Sequence, residues 1–368
     1  MVRWLYGNII WTITIEYIRE DIMKQLEISG KTGPSTIMVG ETLQNISRYI
    51  PPSEKVVVIT DTQVGGLYQD QFPRGEIIRI GTGETVKNLN TVRQVYEQLV
   101  ALEADRTVFI VGIGGGVVCD IAGFVASTYL RGVRFGFAAT TLLAQVDASV
   151  GGKNGVNFGG YKNMIGVFRQ PEFVLCDPTL LTTLPEKERL SGFGEIVKHA
   201  AIGDRACFEF LENAYEKALT LDTTVIEQLV YASVVLKAAV VNRDETEQGE
   251  RRILNFGHTF GHAIEKITGV THGEAVGLGM AAACRLSLKK GMLSEKTVER
   301  VIRLIGNLHL PVRIRVDRKA LSDALRRDKK REGDKIHFVL LQDIGRAVIE
   351  PVPLDELETM HADLFGKP

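Results

Sequence analysis

A β-branched run, Thr107-Val-Phe-Ile-Val111, passes directly into Gly112-Ile-Gly114-Gly115-Gly116, and the residues after Val117-Val-Cys-Asp120 open a helical pattern at Ile121. Such a sequence can form a buried strand, a turn without side chains and a helix packed back on the strand, the unit from which parallel α/β sheets are built. Glycines at that turn let a backbone approach a pyrophosphate, whose charge the free amides and dipole of the helix start stabilise. The spacing departs from the usual dinucleotide fingerprint, since with Gly112 and Gly114 as its first two glycines the last falls on Val117. A tight turn with no ligand is the alternative.

The surrounding pattern supports an α/β nucleotide-binding domain. Val56-Val-Val-Ile-Thr60, ending at Asp61, reads as a second buried strand, and Leu26-Glu-Ile-Ser29 as the first. Val86, Leu89, Val92, Val95, Leu99 and Leu102 recur at helical period. Polar clusters at expected strand ends, namely Asp61, Gly83-Glu84-Thr-Val-Lys87 and Thr140-Thr141, line the position where open α/β sheets hold ligands. From Pro185 the character changes to long helical patterns, Thr224 to Val241 and Glu274 to Lys290, with little strand signal before His337-Phe-Val-Leu-Leu341. At 368 residues two domains are expected. They are read as 23–182, an N-terminal α/β domain, and 183–368, a mostly helical metal- and substrate-binding domain, with a cleft between them. No internal repeat or low-complexity linker separates them.

Residues 1–22 are expected to be a non-native or disordered extension ahead of a true start at Met23; an added strand at Ile9 to Ile15, where Ile and Thr alternate, is the competing reading. Polar interruptions and the lack of a small-residue cleavage site argue against a signal peptide. The apolar run Ala275 to Cys284 is too short to cross a membrane. With 44 basic against 45 acidic residues, bulk charge argues against nucleic acid as a partner. Cys119, Cys176, Cys207 and Cys284 are scattered, which predicts free thiols, a cytoplasmic setting and no thiolate metal ligands.

Within Asn255-Phe-Gly-His258-Thr-Phe-Gly-His262, two histidines four residues apart share one helix face, and His272 follows in His272-Gly-Glu274. Each alone reads as a satisfied polar residue. Three of the chain's seven histidines within fifteen residues read as a divalent-metal site, with Glu195 of Gly194-Glu195-Ile-Val-Lys198-His199 as a candidate third ligand. Imidazole and carboxylate suit zinc, and three protein ligands leave a position open for substrate. Lys153, Lys162, Lys198 and Lys237 sit among glycine or apolar residues rather than in solvated runs, so they are expected to face a phosphate- and carboxylate-bearing substrate, with Arg131 and Arg251 as planar clamps. Asp147 either takes part in this site or caps a helix.

Together these motifs resemble the 3-dehydroquinate synthase family. The match runs from about Val56 to Ile349 through Gly114-Gly-Gly-x-x-x-Asp120, Arg131-Gly, Thr140-Thr-Leu-Leu-Ala-Gln-Val-Asp147, Ser149-Val-Gly-Gly-Lys153, Lys162-Asn163-Met-Ile-Gly, Asn255-x-Gly-His258-Thr-x-Gly-His262 and His272-Gly-Glu-Ala. The resemblance implies that Glu195, His258 and His272 hold zinc, with cobalt a possible substitute, while His262 stays free beside the substrate. It places Glu84, Lys87, Asp120, Thr140 and Thr183 at NAD, and the strand-end and glycine-turn reading adds Asp61, Gly83, Gly114, Gly115, Gly116 and Thr141, with Lys153 and Lys162 also assigned to the cofactor. It places Lys153, Asn163, Lys198, Lys237, Arg251, Asn255 and His262 at substrate and catalytic positions, to which the residue reading adds Arg131 and Asp147, and it adds a phosphate-binding lysine from Asp328-Lys329-Lys330. The implied protein is a cytoplasmic homodimer of the shikimate pathway, a phosphate-eliminating lyase. It converts 3-deoxy-D-arabino-heptulosonate 7-phosphate to 3-dehydroquinate by transient oxidation at C5, β-elimination of phosphate, re-reduction and aldol closure. Cys119, Ala139 and His199 depart from the family's usual glycine, proline and tyrosine, without loss of a charged or metal-binding group. Another sugar phosphate cyclase or a metal-dependent alcohol or glycerol dehydrogenase is the nearest alternative reading; a non-catalytic NAD sensor has no physical need for the lysines.

Overall fold

The computed structural model describes residues 23–52, 55–325, 334–357 and 365, with backbone alone at 5–6, 9–10, 16–17, 326, 331–332 and 358–359. Most of the expected 1–22 extension, and Asp328, Lys329 and Lys330, lie outside the described residues. Three short strands fall within that extension. β1 (Leu5–Tyr6) pairs with β2 (Ile9–Ile10), and β3 (Glu16–Tyr17) runs antiparallel to β4 (Lys24–Gly30).

The chain divides into two compact units, Met1–Leu184 with Lys237–Thr246, and Pro185–Leu236 with Glu247–Pro368. In the first, an eight-stranded sheet is assembled from β3, β4, β5 (Gly33–Val39), β6 (Val56–Asp61), β7 (Glu76–Ile80), β8 (Phe109–Gly114), β9 (Arg134–Ala139) and β12 (Phe173–Cys176). Its order is β3-β4-β5-β12-β9-β8-β6-β7, parallel from β5 to β7 and antiparallel only at the β3-β4-β5 edge. β8 is buried at every residue, as a central parallel strand must be. Helices α1 (Thr62–Tyr68), α2 (Leu89–Ala101) and α3 (Gly116–Thr128) connect these strands. The periodic pattern beginning at Val86 is helical only from Leu89. Glu84–Val86 forms a 3₁₀ turn, and Asn88 caps α2 by accepting from Thr91 N at 3.0 Å.

A separate ribbon, β10 (Lys153–Phe158) with β11 (Tyr161–Phe168), lies against α3. The approach requires glycine at 123, where a Cβ would stand 1.9 Å from Asn154 Oδ1. The Asn154 side chain is committed there, donating to the carbonyls of Gly152 and Arg169 at 3.0 and 2.9 Å.

The second unit is helical, as its sequence predicts: α4 (Glu186–Gly203), α5 (Arg205–Leu219), the start of α6 (Thr223–Arg243), α7 (His258–Thr268), α8 (His272–Lys289), α9 (Glu295–Asn307), α10 (Arg318–Arg326) and α11 (Leu354–Thr359). A small antiparallel sheet of β13 (Arg331–Glu332), β14 (Lys335–Asp343) and β15 (Arg346–Pro353) joins them; β14 contains the expected strand at His337 to Leu341. The core gathers Phe260, Ile264, Leu278, Leu286, Phe338 and Leu340.

The break at Leu184 lies beside the expected one, but Lys237–Thr246 returns to the first unit. Hydrogen bonds hold it there: Asn242 Oδ1 accepts from Ser29 N at 3.0 Å, and the Glu245 carboxylate accepts from Lys31 N at 2.7 Å and Gln170 Nε2 at 3.0 Å. α6 is long and apolar enough to cross a membrane, with a mean hydropathy of 1.6 over its best window. That window is 61% buried inside the protein, which marks a core helix.

α7 and α8 pack unusually closely. A Cβ on Gly279 would lie 1.9 Å from the Gly257 carbonyl oxygen, and Gly257 itself has φ +78°. Gly279→Ala is therefore expected to push the two helices apart and lower stability by about 1–3 kcal/mol, the usual range for overpacking. Urea unfolding measures this, and an unchanged midpoint would refute the contact as a constraint.

Candidate active site

Glu195 lies in the middle of α4 and is fully buried. His258 is the first residue of α7 and His272 the first of α8, so two helix starts converge on one carboxylate. The start of α8 is fixed twice. Thr271 and Glu274 form a capping box, which uses the Glu274 carboxylate as a cap. Gly273 N donates to Ser191 Oγ at 3.0 Å, and no Cβ would fit between Gly273 and Ser191. Ser191 lies one turn before Glu195 on α4, so this contact sets His272 beside the carboxylate.

Glu195 Oε1 is 3.4 Å from His258 Nε2 and 3.3 Å from His272 Nε2. Zinc bonds of about 2.0–2.1 Å in tetrahedral geometry place ligand atoms about 3.3–3.4 Å apart, so these spacings fit one ion touching all three. The three ligand atoms lie within 4.8 Å of one another. His258 Nδ1 is 3.1 Å from the Phe256 carbonyl, which can only accept, so Nδ1 carries the proton and Nε2 keeps its lone pair for a metal. His272 Nδ1 is 3.7 Å from Glu265 Oε2. Burial disfavours the His272 imidazolium, but hydrogen bonds to Glu195 and Glu265 outweigh it and push its pKa up to about 9 in the metal-free chain. The other oxygen of Glu195 pairs with the buried Lys198 ammonium.

His262 stands next to this group, its ring edge-on to His258 with centroids 5.2 Å apart, and is exposed. The spacing of His258 and His262 had left that pair open as ligands; the structure instead gathers Glu195, His258 and His272. Arg251 is buried in the 3₁₀ segment Glu250–Asn255, and Asn255 Nδ2 donates to Glu247 Oε1 at 2.6 Å. Glu265 and Glu247 escaped the sequence reading. For Glu265 a signal existed, because it lies seven residues after His258 on the same face of α7.

In the first unit a second polar group forms where β8 and β9 end. α3 starts at Gly116 with Gly115 as its cap, and no side chain caps it, so its first amides point outward. Thr140 N donates to the Gly114 carbonyl at 2.9 Å, while its buried Oγ1 has no hydrogen-bond partner among the described residues. An uncapped helix start beside an unpaired buried hydroxyl fits a pyrophosphate. Lys87, nearly buried, pairs with Asp120 and donates to Asn163 Oδ1 at 2.6 Å. Burial raises the Asp120 carboxyl above the ordinary range, against the pull of Lys87. Glu84 accepts from Asn157 at 2.7 Å. Lys153, Lys162 and Asn163 lie on the exposed part of the β10–β11 ribbon.

The remaining expected residues are placed as follows. Asp61 caps α1, accepting from Gln63 N and Val64 N at 2.8 Å each. Thr141 accepts from Ala144 N at 3.1 Å, and Thr183 Oγ1 meets the Tyr68 hydroxyl at 2.5 Å. Gly83 and Arg131 have left-handed φ of +81° and +67°. Asp147 lies inside a π-helical turn, Ala144–Ala148, and is no N-cap. Lys237 pairs with its carboxylate and donates to its carbonyl at 2.5 Å. The four cysteines are free and buried; burial pushes the thiols of Cys176, Cys207 and Cys284 up to about 12 and that of Cys119 higher still.

Residues 77–191 match the family model for the 3-dehydroquinate synthase N-terminal domain, and 192–331 that for its C-terminal domain. The 3-dehydroquinate synthase of Desulforamulus reducens is 41% identical over 88% of this chain and 95% of its own length. That of Pelobacter propionicus is 40% identical over 90% and 96%. Among solved structures, 2-deoxy-scyllo-inosose synthase with carbaglucose-6-phosphate, NAD+ and Co2+ superposes with a TM-score of 0.81 at 27% identity, covering 93% of this chain and 100% of its own. The 2-epi-5-epi-valiolone synthase of Streptomyces hygroscopicus, with NAD+ and Zn2+, gives 0.82 at 27% over 96% and 99%. Two matching family models that together span most of the sequence, and relatives near 40% identity over most of its length, show that this chain belongs to the 3-dehydroquinate synthase family.

Proposed function

We propose that the protein is a 3-dehydroquinate synthase that converts 3-deoxy-D-arabino-heptulosonate 7-phosphate to 3-dehydroquinate and phosphate. The observation that carries the reading is the set of tetrahedral-edge spacings among Glu195, His258 and His272, with Lys198 on the far oxygen of the same carboxylate. When bound, NAD supplies reversible hydride acceptance at C5, and zinc held by Glu195, His258 and His272 supplies Lewis acidity toward the substrate's hydroxyls.

The chain's own groups bind and orient. Asp61, Gly83, Glu84, Lys87, Asp120, Thr140, Thr141, Lys153, Lys162 and Thr183 are assigned, with the Gly114–Gly116 turn, to the nucleotide. Lys153, Asn163, Arg131, Lys198, Lys237, Arg251 and Asn255 are assigned to the anionic substrate, where ammonium groups act as point charges and guanidiniums as planar forks. Asp147 fixes the Lys237 ammonium through its carboxylate and its carbonyl, so the charge is held in place before substrate arrives. Exposed His262 can carry a proton at its ring nitrogens beside His258. The reading extends to a cytoplasmic homodimer, and free, buried thiols suit a reducing compartment.

Purified enzyme is expected to release one phosphate per heptulosonate phosphate while NADH absorbance stays flat. Stoichiometric NADH would support a dehydrogenase instead. The metal assignment predicts that Glu195→Ala and His258→Ala lose bound zinc and turnover together, whereas His262→Ala keeps the metal and loses rate by about 10²-fold or more. Metal analysis of the three proteins decides it; zinc retained in His258→Ala but lost in His262→Ala would reverse the ligand set.

Zinc binding should also depend on pH with a defined sign. Below about 9 the metal-free His272 carries a proton that ligation must displace, so zinc affinity rises with pH up to about 9 and then levels off. Competition with a chromophoric chelator between pH 6 and 8 measures the slope, and a flat profile would remove His272 from the ligands. Lys198→Met and Lys237→Met should bind substrate poorly, with Lys198→Met also less stable because buried Glu195 loses a cationic partner; steady-state kinetics with circular dichroism tests both.

A further inference from the structure

β10 and β11 do not pair continuously. Their register shifts between Val156 and Phe158, where the single Asn157 of β10 faces three residues of β11, 162 to 164, so the bulge lies on β11 around Asn163 and Asn157 stands opposite it. A bulge re-aims residues of its own strand away from the ladder, and Asn157 faces the re-aimed Asn163. Asn157 N donates to the Lys87 carbonyl at 2.9 Å, forming an isolated bridge with the segment at Asn88. Its side chain is used at both ends: Nδ2 donates to Glu84 Oε1 at 2.7 Å, and Oδ1 accepts from Asn163 N at 2.9 Å.

These bonds close a ring. Asn157 N–H reaches the Lys87 carbonyl, Lys87 Nζ donates to Asn163 Oδ1 at 2.6 Å, and Asn163 N–H returns to Asn157 Oδ1. Asn163 has φ +50°, a left-handed conformation that asparagine tolerates better than other non-glycine residues and that the bond from its N–H to Asn157 Oδ1 holds here. Because Lys87 can only donate, Asn163 Oδ1 must face it, and the amide Nδ2 is left to point away as a donor.

We propose that Asn157 is a positioning residue: it holds Asn163 in its left-handed conformation, with the side-chain amide presented as a donor to substrate, and ties that orientation to the nucleotide-side groups Glu84 and Lys87. The proposal rests on the synthase reading for the identity of the two ligands, but the ring of bonds does not.

Two variants separate the halves of the link. Asn157→Ala removes both side-chain bonds. Asn157→Asp keeps an acceptor for Asn163 N–H but sets a carboxylate against Glu84. Asn157→Ala is expected to raise the KM for 3-deoxy-D-arabino-heptulosonate 7-phosphate about 10-fold or more and to weaken NADH binding, measured by fluorescence titration of the zinc-loaded enzyme. Asn157→Asp should keep KM within about threefold of wild type while still weakening NADH. Amide hydrogen exchange, which needs no activity, should show Asn163 N–H losing protection in Asn157→Ala and keeping it in Asn157→Asp. KM and NADH affinity both unchanged in Asn157→Ala, or a fall in kcat and thermal stability with KM unmoved, would leave only a structural role and overturn the proposal. Wild-type protein that releases no phosphate from the heptulosonate would sink the synthase reading instead; the exchange pattern then decides the role of Asn157 alone, and unaltered Asn163 protection in Asn157→Ala would end it.

Discussion

Everything in the second unit is arranged around one buried negative charge. A carboxylate withdrawn from water is tolerated only if cations or strong donors surround it, and Glu195 is wholly buried. Its two oxygens are divided: one takes the Lys198 ammonium from the next turn of α4, the other faces His258 and His272. Neither imidazole belongs to α4, so the helix starts carrying them must be held against it by other means. Glycines at 273 and 279 do this, the first by letting α8 touch Ser191, the second by letting α8 touch the Gly257 turn that opens α7. Packing without side chains at two positions thus fixes ligand atoms at positions whose tolerance is tenths of an ångström.

The first unit solves a similar problem with backbone irregularities. Lys87 and Lys237 are both nearly buried, and each is held by a carboxylate together with a second oxygen acceptor. Asp120 is presented by the regular helix α3, but the other acceptors come from irregular parts of the chain: a π-helical turn presents Asp147, and the β11 bulge presents a left-handed Asn163 braced by Asn157. Regular helix and strand would turn these atoms into their own ladders. The regular sheet behind them supplies the rigidity.

What could be read from the sequence follows from this division. Regular elements were legible, because buried strands such as Val56–Asp61 and helices such as α6 and α8 write their burial into residue type at a fixed period. The start of α2 was misplaced at Val86 because that residue fits the apolar period while the chain around it forms a 3₁₀ turn, closed by the cap at Asn88. β15 escaped notice since Pro351 and Pro353 break its pattern; its pairing with β14 comes from the turn at Gly345, with φ +80°. The metal group was legible as composition and not as geometry. Histidines at 258 and 262 satisfy helical spacing equally well as partners, and only the packing of α8 on α4 gives His272 the nearer place. Asn157 carried no signal at all, because its place opposite the β11 bulge depends on how two strands pair.

With Glu195, His258 and His272 as the proposed metal ligands, charge balance would couple the binding of a metal to that of an anion. Without a metal, Glu195 and Glu265 are matched by Lys198 and by a His272 whose pKa is pushed up to about 9, so the group is neutral near pH 7. A divalent ion held by Glu195, His258 and His272 would bring two positive charges, offset only in part by the proton that His272 would give up. That surplus is unfavourable in a buried setting unless something negative arrives to meet it. A substrate carrying phosphate and carboxylate would do so, and on the proposed assignment Lys198 would add to the positive field that the anion neutralises, besides pairing with Glu195.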